Sequence, residues 1–256
     1  MVQNGAHLPC APDFFQDFMK KKSYIEPKQY IQYLKKAKGI TDFQIPSTVI
    51  VIFQKKLAQW VIDTKNAVSL LSPRGQLFFY SHAGKDIGVV FVFGICPSLS
   101  AMLMEEFIAL GTKNFVSVGI AGALQENVHV GDLILVTKAL PEDGVSDQYG
   151  KHDVVSVSPN FLKKLETTLQ NDSQDFHKGM TWTTCAPYRE TIEKLNKYKQ
   201  ENILTVEMEI ASLCSVANYR GVEYTALLVC SDSLAGHVWK PQQNTKRVFS
   251  SLQSAY

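Results

Sequence analysis

Residues 204–233 run in a fixed order: a short apolar stretch, Glu209, a helical pattern over about 210–218, Gly221 as a stop, and the near-continuous apolar run 224–230 leading to Asp232. A strand buried on both faces and separated from its predecessor by one helix belongs to an α/β layer, because only such layers cover both sides of a sheet. Glu209 and Asp232 are therefore expected at strand-to-helix junctions. Carboxylates at such edges are better placed to meet a ligand than to solvate a surface.

The same alternation runs through the chain from residue 47. Strands are expected at 48–53, 114–118, 132–139 and 179–184, and a hairpin-like pair at 76–82 and 88–93. Helices are expected at 57–62 and 98–110, so residues 88–118 form a βαβ unit with a right-handed crossover. Residues 171–178 read as a polar surface turn. Residues 1–45 are lysine-rich, with helical patterns at 13–19 and 27–37, and read as a leading arm with a solvated face. With 256 residues, 45% of them hydrophobic, and no long linker, one globular domain is expected.

Several functions are disfavoured by what the chain lacks. A formal charge of +2 gives no reason to expect a nucleic-acid or anionic-membrane partner. The five cysteines, Cys10, Cys96, Cys185, Cys214 and Cys230, show neither a CxxC pair nor zinc spacing. Reduced thiols, no metal and a cytoplasmic protein are the expectation, since no signal-peptide pattern or membrane-length apolar run is present. P-loop, GxSxG, HExxH and GxGxxG motifs are absent.

Two glycine-rich segments follow strands. In the first, Gly94 permits a tight turn, Pro97 suits a first helical turn, and Ser98 or Ser100 adds a hydroxyl beside free helix N–H groups, as in an anion cradle. In the second, Gly119 and Gly122 either admit a ligand close to the backbone or allow tight strand-helix packing.

The ordered set of the glycine turn at 94–98, VG-x-AG-x-L at 118–124, VGDLIL at 130–135, DG-x-S-x-x-Y at 143–149, VEME at 206–209 and SD at 231–232 resembles the purine nucleoside phosphorylase and uridine phosphorylase family over about residues 47–250. The resemblance implies a three-layer α/β/α sandwich around a twisted mixed sheet for residues 46–256. It also implies a homo-oligomer (a dimer or trimer of dimers), a small-molecule nucleoside substrate, inorganic phosphate as the possible co-substrate, and a place in purine salvage.

Carried onto this chain, the resemblance makes Glu209 the acceptor for the ribose 2′- and 3′-hydroxyls and Met208 the sugar's apolar neighbour. A carboxylate offers two acceptors to a vicinal diol, and a thioether moulds to an apolar surface. Asp232 would act as the acid near purine N7, with burial needed to raise its pKa for that role. Thr184, Cys185, Pro187, Val206 and Ser231 would surround the base, Gly94, Ser98, Ser117 and Gly119 the anion, and Lys246 or Arg247 would assist the acid.

The group that attacks the sugar stays open. The family's GDP-x-R phosphate loop is replaced by residues 53–59, Phe53-Gln-Lys-Lys-Leu-Ala-Gln59, and the chain holds four arginines in all. Lys55 or Lys56 is left to supply charge. Phosphorolysis ranks first. Hydrolysis follows, with His82 or Asp143 as candidate base, and then nucleoside binding with little turnover.

Overall fold

The computed structural model describes residues 23–38, 45–71, 76–92, 96–150, 153–236 and 238–256. The helical pattern at 13–19 and Gly94 lie outside the described residues. The strands are β1 (Thr48–Ile52), β2 (Val68–Leu71), β3 (Gln76–His82), β4 (Lys85–Phe91), β5 (Asn114–Ala123), β6 (Leu133–Glu142), β7 (Val155–Ser156), β8 (Phe176–Thr184), β9 (Thr205–Glu207), β10 (Glu223–Ser233) and β11 (Lys240–Pro241). The helices are α1 (Pro27–Lys38), α2 (Lys55–Lys65), α3 (Pro97–Leu110), α4 (Pro159–Asn171), α5 (Ile192–Gln200), α6 (Ile210–Arg220) and α7 (Lys246–Ala255).

All these strands join one mixed sheet in the order β11-β10-β6-β8-β9-β5-β1-β4-β3-β2, with β7 on β6. β5 also pairs with β10, so β10, β6, β8, β9 and β5 close into a ring at one end of the sheet. β4, α3 and β5 form the expected βαβ unit, and β1 lies between the two strands, parallel to both.

The period of two along the strands sorts side chains into two cores. Val49, Val90, Ile134, Val136, Ala226 and Leu228 pack under α3 and α6. Ile52, Val89, Leu133, Leu135, Leu227 and Val229 pack under α2, α4 and α7. Helices thus cover both faces, and the three-layer α/β/α sandwich follows. α1 buries Ile31 and Leu34, and the Arg220–Glu105 ion pair at 2.7 Å ties α6 to α3.

The structure departs from the sequence reading at two strand ends. Residues 119–122 form no strand-to-helix turn; β5 continues to Ala123, because β10 runs parallel to it with Gly119 opposite Leu228 and Gly122 opposite Asp232. Asp232 accordingly sits inside β10, just past a bulge at Cys230/Asp232, and not at a strand-to-helix junction. Similarly, β8 begins at Phe176, inside the expected turn, where it pairs with Leu133.

Candidate active site

The ends of β5, β9 and β10 meet at a cavity of about 210 Å³. Gly119, Val206, Met208, Glu209, Ser231 and Asp232 line it, so the two acids flagged by sequence face one space. Gly122 shows why the chain can close so tightly there. A Cβ at this position would lie 2.4 Å from Leu234 Cδ1 and 3.4 Å from Asp232 Oδ2. Only glycine lets those side chains approach the strand.

Glu209 is 6% exposed and stands at the N-cap position of α6 without capping it. The capping is done by Glu207: its Oε2 accepts the N–H groups of Glu209 (2.6 Å) and Ile210 (2.7 Å), and its Oε1 accepts the Thr183 hydroxyl. Glu209 Oε1 is consequently buried with no partner. Burial, then the nearby Glu207 charge, pushes the Glu209 carboxyl up to about 9 against the pull of the Cys96 and Met208 backbone N–H groups. An unpartnered acceptor in a cavity invites a donor from the ligand.

Asp232 is 8% exposed. Its Oδ1 accepts the Ser231 hydroxyl at 2.6 Å and its Oδ2 accepts the Trp239 indole N–H at 2.8 Å. Glu190, which sequence reasoning missed, lines the same cavity. Burial, then the Asp232 charge, raises its carboxyl to about 7, so the site holds an acid that titrates near neutrality. Nothing in the one-dimensional pattern around Pro187–Glu190 marks it.

Two further cavities adjoin the site. One, of about 770 Å³, shares Glu190, Asp232 and Leu234 with it and is also lined by Pro187, Ile192 and Trp239. The other, of about 550 Å³, shares Gln54 and Gln243 and adds Lys55, Lys56 and Thr245. Gln54 Oε1 is a second buried oxygen without a partner.

Other sequence candidates fall elsewhere. Ser117 is fully buried and its Oγ accepts the Tyr224 hydroxyl at 2.9 Å, so it does not reach the cavity. Ser98 is exposed on the first turn of α3, Thr184 is buried, and Cys185 is exposed; none of them lines these cavities. Lys246 and Arg247 are exposed on α7, and Arg247 lies against Gly131 beside a cavity, also lined by His129 and Lys240, that shares Glu126, Ala235 and Gly236 with the one of about 770 Å³. His82 is exposed in the β3–β4 hairpin. Asp143 closes its own loop, its Oδ1 accepting the N–H groups of Val145 (2.7 Å) and Ser146 (2.8 Å). Among the described residues no helix is long and apolar enough to cross a membrane.

The family model of the phosphorylase superfamily matches residues 51–254. A guanosine phosphorylase of Halorubrum lacusprofundi is 29% identical over 60% of this chain, and the match spans 64% of that protein's length. A DeoD-type purine nucleoside phosphorylase of Alkaliphilus metalliredigens is 32% identical over 61% of this chain and 68% of its own. The crystal structure of uridine phosphorylase from Vibrio fischeri superposes with a TM-score of 0.73 at 21% identity, covering 83% of this chain and 89% of that one. That likeness concerns the fold.

Proposed function

The chain belongs to the phosphorylase superfamily, and on that footing we propose that it cleaves the N-glycosidic bond of a purine ribo- or deoxyribonucleoside by phosphorolysis, releasing free base and pentose 1-phosphate. One observation carries this reading: Glu209, with its unpartnered oxygen, and Asp232, held by Ser231 and Trp239, line the same cavity. The relatives named as guanosine and purine nucleoside phosphorylases support a purine base.

Glu209 would hold the sugar diol and Met208 its apolar side. As the bond from C1′ to the base nitrogen breaks, its electron pair moves onto the purine, and a proton passes to N7 through Asp232. Its source is Glu190, the neighbouring acid raised to about 7, which is left as the carboxylate. A phosphate oxygen then bonds to C1′. The Lys55 and Lys56 lobe, joined to the sugar cavity through Gln54 and Gln243, is the side from which phosphate would enter. A partner copy is a natural source of a further cation, so a cytoplasmic homo-oligomer is part of the proposal.

A second reading, hydrolysis, draws on the inner cavity itself. Glu190, Glu207, Glu209 and Asp232 line it and no lysine, arginine or histidine among the described residues does. A dianion among carboxylates is disfavoured, whereas the buried Gln54 oxygen could accept a hydrogen bond from an attacking water and orient it, one of the cavity carboxylates taking the proton. Titrating phosphate against base release separates the two: saturable acceleration supports phosphorolysis, and a rate indifferent to phosphate supports water.

A further inference from the structure

We propose that the larger cavity beside Asp232 binds an apolar substituent on the base, and that the chain prefers purine nucleosides modified on the exocyclic nitrogen at C6 over unmodified ones. The proposal rests on the nucleoside-cleavage reading above and extends it to substrate class.

The cavity at Glu209 holds about 210 Å³, below the roughly 300–1,000 Å³ usual for small-molecule sites. A nucleoside seated there must project past Asp232 into the adjoining space, which offers about 770 Å³. An unmodified purine would leave much of that space to water.

Ile192 and Leu195, three apart on α5, place apolar side chains on one wall, and Leu124 and Leu234, just past the ends of β5 and β10, line the cavity together with Tyr188 and Trp239. Tyr188 is 100% exposed, Ile192 77% and Trp239 59%, so three large apolar side chains stand in solvent around one opening. Exposed apolar surface gathered at a concave site marks a binding surface. Of the four charged residues on the wall, Glu190 and Asp232 are shared with the inner cavity, and Lys199 and Glu126 are paired to each other at 2.7 Å, Lys199 also donating to the Ala235 carbonyl at 3.2 Å. The cavity thus favours an apolar group over an anionic one.

Purine N7 and the exocyclic group at C6 share one edge of the ring. A base that meets Asp232 through N7 turns its C6 substituent along Asp232, toward Trp239, whose indole N–H is fixed on that carboxylate. Glu190 and Leu234 join the two cavities at this neck.

The test compares kcat/KM for N6-benzyladenosine and adenosine on the full chain. The expected result is a preference for the benzyl compound of roughly tenfold or more, reduced at least severalfold by Ile192→Ser, a change at an exposed position. Equal values, or a preference that Ile192→Ser leaves intact, overturn the proposal. If neither is cleaved while inosine or guanosine is, the cleavage reading stands and this proposal is overturned; if none of the four is cleaved, the cleavage reading fails, and calorimetric binding of the free base N6-benzyladenine decides the cavity on its own. Binding weakened by Ile192→Ser supports it, and no binding overturns it. A dimer that Ile192→Ser dissociates, without any base preference, makes this face a contact between copies and also overturns it.

Discussion

Glu207 holds the backbone N–H of Glu209 at 2.6 Å, and this bond decides what each glutamate does. By satisfying the first N–H groups of α6 itself, Glu207 releases the Glu209 carboxylate from the helix end and leaves it facing the cavity. Replacing Glu207 with Ala removes a buried cap and should lower stability by about 1–3 kcal/mol. It should also slow turnover, because Glu209 loses its fixed position. Chemical denaturation alongside kinetics checks both, and a variant with full stability would place the capping elsewhere.

Glu209→Gln puts an amide NH2, which can only donate, where the carboxyl has an oxygen that can receive a sugar hydroxyl. The expected effect is a rise in KM of roughly tenfold for a ribonucleoside and a smaller one for its 2′-deoxy counterpart, which presents fewer hydroxyls. Equal effects on both sugars would move the diol contact away from Glu209.

Three acids in this site are raised from 4.5: Glu190 and Glu207 to about 7, and Glu209 to about 9. Between the unfolded and folded values the folded chain binds more protons, so their contribution to stability declines as pH rises through 4.5 to about 7 for the first two and to about 9 for the third. Tm should accordingly fall between pH 6 and pH 9 by about 3 °C or more. Glu190→Gln should flatten the part of the decline below pH 7. A Tm that climbs over this range would contradict the burial account of these groups.

Much of the architecture was legible in the sequence because period and punctuation are local. Gly221 ends α6 in the left-handed conformation at φ 65°, and Tyr224 through Cys230 lie buried in β10, as the apolar run implied. The shared placement of Glu209 and Asp232 followed from the motif set. What escaped was set by distant partners. Residues 119–122 read as a turn because glycine usually marks one, yet β10 and β9 hold them in a strand. Ser117 read as an anion ligand until its hydroxyl met Tyr224, far along the chain. Glu190 carries no local signal at all; its character comes from burial and from Asp232 across the cavity.

Gly122→Ala would bring a Cβ within 2.4 Å of Leu234 Cδ1. Leu234 is a side chain that can move, so the fold should persist with a loss of about 1–3 kcal/mol, while Asp232, close by, is displaced. Base release should fall by roughly tenfold or more, since small misplacements of reacting groups carry large kinetic penalties. A variant as active as the parent would show that the site tolerates a looser junction.

In the proposed reaction one cavity grips the sugar through Glu209 and protonates the departing base through Asp232. The most direct measurement follows base release from inosine, guanosine and adenosine by the purified protein and by Asp232→Asn, in parallel with nucleoside binding to each. The parent protein should release base, and in Asp232→Asn the rate should fall roughly 100-fold with affinity changed far less. Nucleoside binding without any base release, with or without phosphate, would contradict it.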